Sequence, residues 1–170
     1  QFATQRSLSG VELDAVILFT DIRGFTKMSE TKLPYDVVYI LNKYFKFVVE
    51  SIEANGGRVD KFIGDGVMAI FDISNNMNEN CKNALVASRN ISKSLKLLNE
   101  ELKSELDENL EIGIGVHAGT VILGKMGFGQ SSSETAIGDS VNIASRLEQL
   151  TKKYSCEIMI SKKLADLAEI

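Results

Sequence analysis

Two aspartates lie at predicted turns of the chain, and the residues around each would allow it to bind a cation. Asp21 follows the apolar run at 15–19, and Asp65 lies between Gly64 and Gly66. Because glycine carries no side chain, a ligand can approach Asp65 closely. Mg²⁺ favours one or two carboxylates together with substrate phosphates, and paired metals can hold both oxygens of an in-line displacement. From spacing alone the alternative stays open that each aspartate only stabilises its own turn.

The segment 21–26 leads from the first strand towards a helical region. Backbone N–H groups near a helix N-terminus form a ready anion site. Phe25 and Thr26 are therefore candidate substrate-binding residues, and the substrate group they would hold is a phosphate.

Hydrophobic periodicity predicts the elements that position these residues. The order is β-α-β-β-α-β, which is typical of an α+β, ferredoxin-like fold with an antiparallel sheet and helices on one face, followed here by additional C-terminal helix and strand elements. We interpret residues 1–14 as a linker from an upstream region and 15–170 as one domain. The predicted strands are 15–19, 58–63, 67–71, 110–117, 121–123 and 157–160; the predicted helices are 35–54, 79–106, 140–153 and 162–168; and 125–134 is predicted to be a loop.

Composition excludes several classes of protein. The chain has 170 residues, 44% of them hydrophobic and 25% charged, which is typical of one globular domain. A net charge of −4 argues against a nucleic-acid-binding surface, which is usually basic. Cys81 and Cys156 are too few for a disulfide framework or a zinc cluster, and no apolar run approaches a membrane span. Because the chain begins at Gln1, we expect it to be a piece of a longer protein.

Three segments resemble motifs of the class III adenylate and guanylate cyclases. FTDIRGFT at 19–26 is similar to the first metal motif, DKFIGDG at 60–66 to the second, and TAIGDSVNIASRLE at 135–148 to the segment that contacts substrate. Together they imply that 15–170 is a cyclase catalytic domain. Domains of that family usually continue through one more β-hairpin, so the resemblance implies that the C-terminal hairpin is truncated here.

The resemblance assigns roles to individual residues. Asp21 and Asp65 match the two metal aspartates, and Ile22 matches a position whose backbone carbonyl also reaches a metal. The implied cofactors are two divalent cations, Mg²⁺ or Mn²⁺. Asn142 matches the asparagine that orients the ribose, and Arg146 the arginine that stabilises charge at the transferring phosphorus. Four residues apart on one helix, these two share a face. The alternatives are a solvated Asn142 and a surface ion pair between Arg146 and a neighbour such as Glu148.

Lys61 and Thr135 match the two positions that recognise the purine. A lysine ammonium only donates hydrogen bonds, which suits adenine N1 and opposes the N1–H of guanine. Thr135 can accept from the adenine amino group. The family's guanylate cyclases typically carry an acidic residue at the lysine position, and a threonine at the second position resembles class IIIb adenylate cyclases.

The predicted function is therefore an adenylate cyclase that converts ATP to 3′,5′-cyclic AMP and pyrophosphate in signal transduction. The alternatives are a guanylate cyclase and a catalytically silent dimerisation or sensor module. The resemblance implies a homodimer with two composite active sites, in a cytoplasmic domain with an upstream regulatory or membrane-anchored region. His117, the only histidine, is interpreted as a structural residue rather than a general base.

Overall fold

The computed structural model describes residues 10–170, which form six strands, five α-helices and one short 3₁₀ turn. The strands are β1 Gly10–Ile22, β2 Arg58–Ile63, β3 Gly66–Phe71, β4 Ile112–Met126, β5 Ser133–Ile137 and β6 Ile158–Ile160; the helices are α1 Phe25–Thr31, α2 Pro34–Ala54, α3 Met77–Glu101, α4 Asp139–Lys153 and α5 Lys162–Ala168. Within the described range, no helix is both long enough and apolar enough to cross a membrane.

All six strands form one sheet in the order β2-β3-β1-β4-β5, and β6 adds to β4 in parallel beside β5. The first four strands have the antiparallel order and the two crossover helices of the ferredoxin-like fold, which confirms the predicted fold class. β1 lies at the centre and pairs with β4 along its whole length, from Gly10↔Gly124 to Ile22↔Ile112.

The two core helices α2 and α3 pack on one face of this sheet. Their buried stripes, which include Tyr44 and Val48 on α2 and Ile91 on α3, join the inward side chains of β1 such as Val16 and Leu18. The additional helix α5 contributes Leu164 and Ala168 to the same core. This face therefore holds the larger hydrophobic core, and its layering is what the periodicity of α2 and α3 predicts.

The other additional helix, α4, lies against the opposite face of β4. Three residues of β4 that face it, Gly113, Gly115 and Gly119, are glycines, and a side chain on any of them would collide with the helix. A Cβ on Gly113 would lie 3.3 Å from the carbonyl oxygen of Glu148, and one on Gly115 would lie 2.9 Å from the Cα of Glu148 and overlap its backbone nitrogen. The glycines thus let the backbones of helix and sheet approach closely, with Ala144 in the contact.

Several predicted boundaries are wrong. Residues 10–14 belong to β1 rather than to a linker, while residues 1–9 lie outside the described part of the chain. The predicted strands 110–117 and 121–123 are one strand, β4, because the glycines that interrupt its apolar pattern are contacts for α4. β5 begins inside the predicted loop 125–134 and continues to Ile137, where no strand is predicted, since a polar edge strand has no apolar alternation.

Two helices also differ from the prediction. A separate short helix, α1, precedes α2, and Gly24 with φ +64° lies at its start. The third helix ends at Glu101 instead of residue 106, and the chain turns at Leu102. With seven residues, α1 is too short to show a helical period. At α3 the apolar spacing continues past the turn at Leu102, so the pattern alone does not locate the end.

We expect Gly115→Ala to destabilise the domain by about 1–3 kcal/mol, because the added methyl group forces α4 away from the sheet. Thermal unfolding followed by circular dichroism measures this. Gly10→Ala is the matched control, since its Cβ meets only a methyl group of the Ile122 side chain, at 3.0 Å, and the Leu123 carbonyl oxygen at an ordinary contact distance of 3.4 Å. Equal stability losses in the two variants would contradict the proposed close packing.

Candidate functional site

The sheet brings Asp21 and Asp65 together at one end of its central strands. Thr20 pairs with Val67, so the end of β1 lies beside the turn between β2 and β3. The backbone N–H of Ile22 donates a hydrogen bond of 2.9 Å to Oδ2 of Asp65. Asp65 therefore stabilises more than its own turn: its carboxylate is fixed against the residue that follows Asp21.

A third carboxyl group, that of Glu148 on α4, joins these two. Glu148 is 3% exposed, and one oxygen of each of Asp21 and Glu148 is buried without a hydrogen-bond partner. Burial and the neighbouring Asp21 raise the pKa of Glu148 to about 9, although Lys152 opposes the shift. Burial also raises the pKa of Asp65. The site thus concentrates carboxyl groups that lack sufficient positive charge around them.

This arrangement fits divalent cations. An unpartnered carboxylate oxygen is an available ligand, and Asp21, Asp65 and the backbone carbonyl of Ile22 are the groups that would hold the metal. Across residues 10–170, no group of three or more Asp, Glu, His and Cys side chains is arranged to hold an ion by itself. Such a site suits Mg²⁺, which is usually bound by one or two carboxylates plus substrate phosphates.

Buried polar contacts fix the end of β1. Thr20 Oγ1 and the Tyr44 hydroxyl are 3.0 Å apart in the core, which ties the strand to α2. The Arg23 N–H donates to the Glu111 carbonyl at 2.8 Å, and the Arg23 guanidinium donates to the Cys156 carbonyl. These contacts hold the chain on both sides of Asp21.

Phe25 and Thr26 form the first turn of α1 and therefore lie four to five residues along the chain from Asp21. The first N–H groups of a helix have no partner within it. Thr26 is exposed and Phe25 is half-buried. Their backbone N–H groups are thus available to a ligand that also meets the aspartates.

Lys61 and Thr135, which come from opposite ends of the sheet order, meet through Asp60. Thr135 Oγ1 donates a 2.6 Å hydrogen bond to Oδ2 of Asp60, and Lys61 Nζ lies 3.7 Å from the same oxygen. The Ala136 N–H donates to Oδ1 of Asp60 at 3.2 Å. The structure therefore places the two predicted purine-binding residues side by side.

Asn142 and Arg146 are exposed on α4. Glu148, two residues after Arg146, is buried against the sheet, and two residues correspond to roughly 200° around a helix. Arg146 thus points away from the sheet to which its own Asp21 belongs. Within residues 10–170 Arg146 forms no ion pair with Glu148 or with any other acidic side chain, so the predicted alternative for Arg146 is wrong.

Sequence reasoning missed Asp60 and gave Glu148 no role in the site. The sequence contained a signal for each residue. Asp60 is an acidic residue directly beside Lys61, and Glu148 has the helical spacing of the buried residues Ala144 and Thr151. His117 is buried, and its Nδ1 lies 2.7 Å from Ser161 Oγ. Burial lowers the pKa of His117, which agrees with a structural role.

We expect Glu148→Gln to stabilise the metal-free domain by about 1–3 kcal/mol at pH 8. The folded state holds the Glu148 proton up to about pH 9, whereas the unfolded chain releases it near the ordinary value of 4.5. Wild-type stability from this group therefore falls as pH rises between those values, and the amide removes the loss. Thermal unfolding at pH 4.5 and pH 8 measures it.

The control is Glu100→Gln on the exposed side of α3, which should leave the pH dependence unchanged. A Glu148→Gln variant that gains no more stability at pH 8 than at pH 4.5 would show that this carboxyl is not strained in the folded domain.

The comparisons with known proteins agree with this geometry. A sequence model of the adenylate and guanylate cyclase catalytic domain matches residues 12–169. An adenylate cyclase of Anabaena cylindrica is 41% identical over 152 residues, which cover 87% of this chain and 29% of the relative. The adenylyl cyclase CyaB from P. aeruginosa superposes with a TM-score of 0.87 at 29% identity, covering 94% of this chain and 82% of that one.

A guanylyl cyclase, Cya2, superposes almost as well, with a TM-score of 0.84 at 30% identity over 94% of this chain and 80% of its own. The neighbours therefore include both substrate specificities, and the chain spans less than a third of the length of the Anabaena relative. What the sequence match and the fold establish together is the family: the chain belongs to the adenylate and guanylate cyclase catalytic domains, of class III.

Proposed function

We propose that this domain converts ATP to 3′,5′-cyclic AMP and pyrophosphate. The observation that carries the choice of ATP is the meeting of Lys61 and Thr135 at Asp60. The ammonium donates to adenine N1. The threonine hydroxyl already donates its proton to Asp60, so its oxygen accepts from the adenine amino group. Guanine presents the opposite pattern at both positions, so a site built this way disfavours it.

The reaction joins the ribose 3′-oxygen to the α-phosphorus, and pyrophosphate leaves. Two divalent cations, when bound at Asp21 and Asp65, would supply acidification of the hydroxyl and neutralisation of the phosphates. The N–H groups of Phe25 and Thr26 hold the phosphate chain, and Asn142 orients the ribose. Arg146 offsets the charge that grows at the phosphorus, which a planar guanidinium does well.

The outward direction of Arg146 favours a composite site. Because Arg146 faces away from its own Asp21, we propose that it serves the nucleotide held by the aspartates of a second copy. In a two-fold homodimer each contact occurs twice, so two complete sites form. We also propose that the domain works in signal transduction, in the cytoplasm and under an upstream regulatory or membrane-anchored region.

The first prediction concerns the substrate. The purified protein with Mn²⁺ should form cyclic AMP from ATP at a kcat/KM at least about tenfold above that for cyclic GMP from GTP, since one mispaired polar contact already costs that much. Product chromatography with each nucleotide measures it. Asp65→Asn should abolish the activity, whereas Asp166→Asn, which changes an exposed aspartate paired with Lys162, should not.

Preference for GTP would make the domain a guanylate cyclase. Nucleotide binding without any product, over a range of protein concentrations, would favour a silent module instead.

The second prediction concerns the composite site. Asp21→Asn and Arg146→Ala should each be inactive alone, and an equal mixture should recover about a quarter of wild-type activity, because half of the dimers are mixed and each has one intact site. Activity assays after mixing, with analytical ultracentrifugation to confirm dimers, measure this.

Two variants on one surface, Asp21→Asn and Asp65→Asn, form the matched control and should not complement. A mixture of Asp21→Asn and Arg146→Ala that stays inactive while mixed dimers are present would rule out sites shared between copies.

A further inference from the structure

Strand β2 contains one extra residue at Asp60. Val59 pairs with Ala69, and Lys61, two residues later, pairs with Met68, which is only one residue from Ala69 on β3. Asp60 is therefore the extra residue of a β-bulge. A bulge of this kind re-aims the side chains around it. In a regular strand Asp60 and Lys61 would point to opposite faces.

The bulge places both side chains on the face of Met68. Val59 packs against the core under α2, and the Phe62 ring lies 4.9 Å from that of Phe45 on the same helix. Asp60 instead reaches Thr135 and Ala136 across the other face, and its side chain is only 4% exposed. Lys61, whose side chain is 41% exposed, lies beside it on the side open to solvent, which we call the opening.

The hydrogen bonds of Asp60 determine which way the Thr135 hydroxyl points. A carboxylate accepts hydrogen bonds and does not donate them. Oδ1 of Asp60 accepts from the Ala136 N–H, and Oδ2 accepts from Thr135 Oγ1. The single hydroxyl proton of Thr135 is therefore directed to Asp60. Towards the opening, Thr135 offers only lone pairs.

We propose that Asp60 is a positioning residue that sets the purine selectivity of this domain, by fixing the Thr135 hydroxyl as an acceptor and holding the Lys61 ammonium beside it. The inference rests on the proposed cyclase function, in which these two residues face the base. It adds a third residue to the selectivity, one that does not touch the nucleotide. Adenine offers an amino donor and the N1 acceptor, which match an acceptor and a donor fixed in this way; guanine offers O6 and N1–H, which do not.

Asp60→Asn reverses the direction of the hydrogen bond between residue 60 and Thr135, while the side chain keeps nearly the same shape. The Ala136 N–H needs an acceptor, so the amide oxygen turns to it and the amide NH₂ faces Thr135. The hydroxyl must then accept from residue 60, and its proton turns to the opening, where it can donate to guanine O6. Selectivity should fall although Thr135 and Lys61 are unchanged.

The test is the ratio of kcat/KM for ATP to that for GTP, measured on folded dimeric protein. We expect Asp60→Asn to lower this ratio about ten- to hundredfold. The matched control is Asp72→Asn, which removes an aspartate paired with Arg58 near the other end of the hairpin and should leave the ratio unchanged. On a Thr135→Val background, Asp60→Asn should change the ratio several-fold less than in the wild type, because the hydroxyl that Asp60 directs is gone and only its contact with Lys61 remains.

An unchanged ratio in folded Asp60→Asn protein would overturn the proposal, and so would an equal loss with both nucleotides, which marks a merely structural role. If Asp60→Asn does not fold, Asp60→Ala, which frees the hydroxyl to rotate, takes its place, and the same two results would overturn the proposal. If wild-type protein forms no cyclic nucleotide, the proposed function fails separately. The affinities of fluorescent ATP and GTP analogues then supply the ratio for the same variants.

Discussion

The close approach of α4 to β4 is the contact on which the arrangement of the site depends. The sheet has no side chains at Gly113 and Gly115, so the helix backbone rests almost directly on the strand. One side of the helix then carries Glu148 down to Asp21, and the other presents Asn142 and Arg146 to the exterior. This one packing contact therefore decides which side chains of α4 face the carboxylates of its own chain and which face the surface.

The same contact creates electrostatic strain at the aspartates. Glu148, Asp21 and Asp65 are close together with partly unsatisfied oxygens, and burial disfavours the charged forms of Glu148 and Asp65. Functional sites commonly carry such unfavourable groupings, because the ligand supplies the missing charge. The hydrophobic core that α2 and α3 form with strands β1, β3 and β4 offsets that cost.

Much of this can be predicted from the sequence, and the failures have physical causes. Asp21 and Asp65 are predictable because each adjoins a turn whose place follows from the apolar runs around it. The role of Asp60 is not, because local periodicity does not show a bulge; only the pairing with β3 does. β5 has the composition of a loop, since its polar residues gain strand structure only from pairing with β4. Glu148 has the character of a surface residue because charged side chains are rarely buried, and its burial depends on glycines more than thirty positions earlier in the chain.

The bulge in β2 has a consequence for changes in chain length. Within a regular strand, loss of one residue moves every later side chain to the other face. Here the pairing before and after Asp60 is already in step with β3, so a deletion of this one residue would leave Val59 opposite Ala69 and Lys61 opposite Met68. β2 would then pair with β3 as a regular strand, and the contacts of Asp60 with Thr135, Ala136 and Lys61 would be lost. At this position the chain can become shorter without disturbing its framework, so the length of β2 can vary independently of the fold.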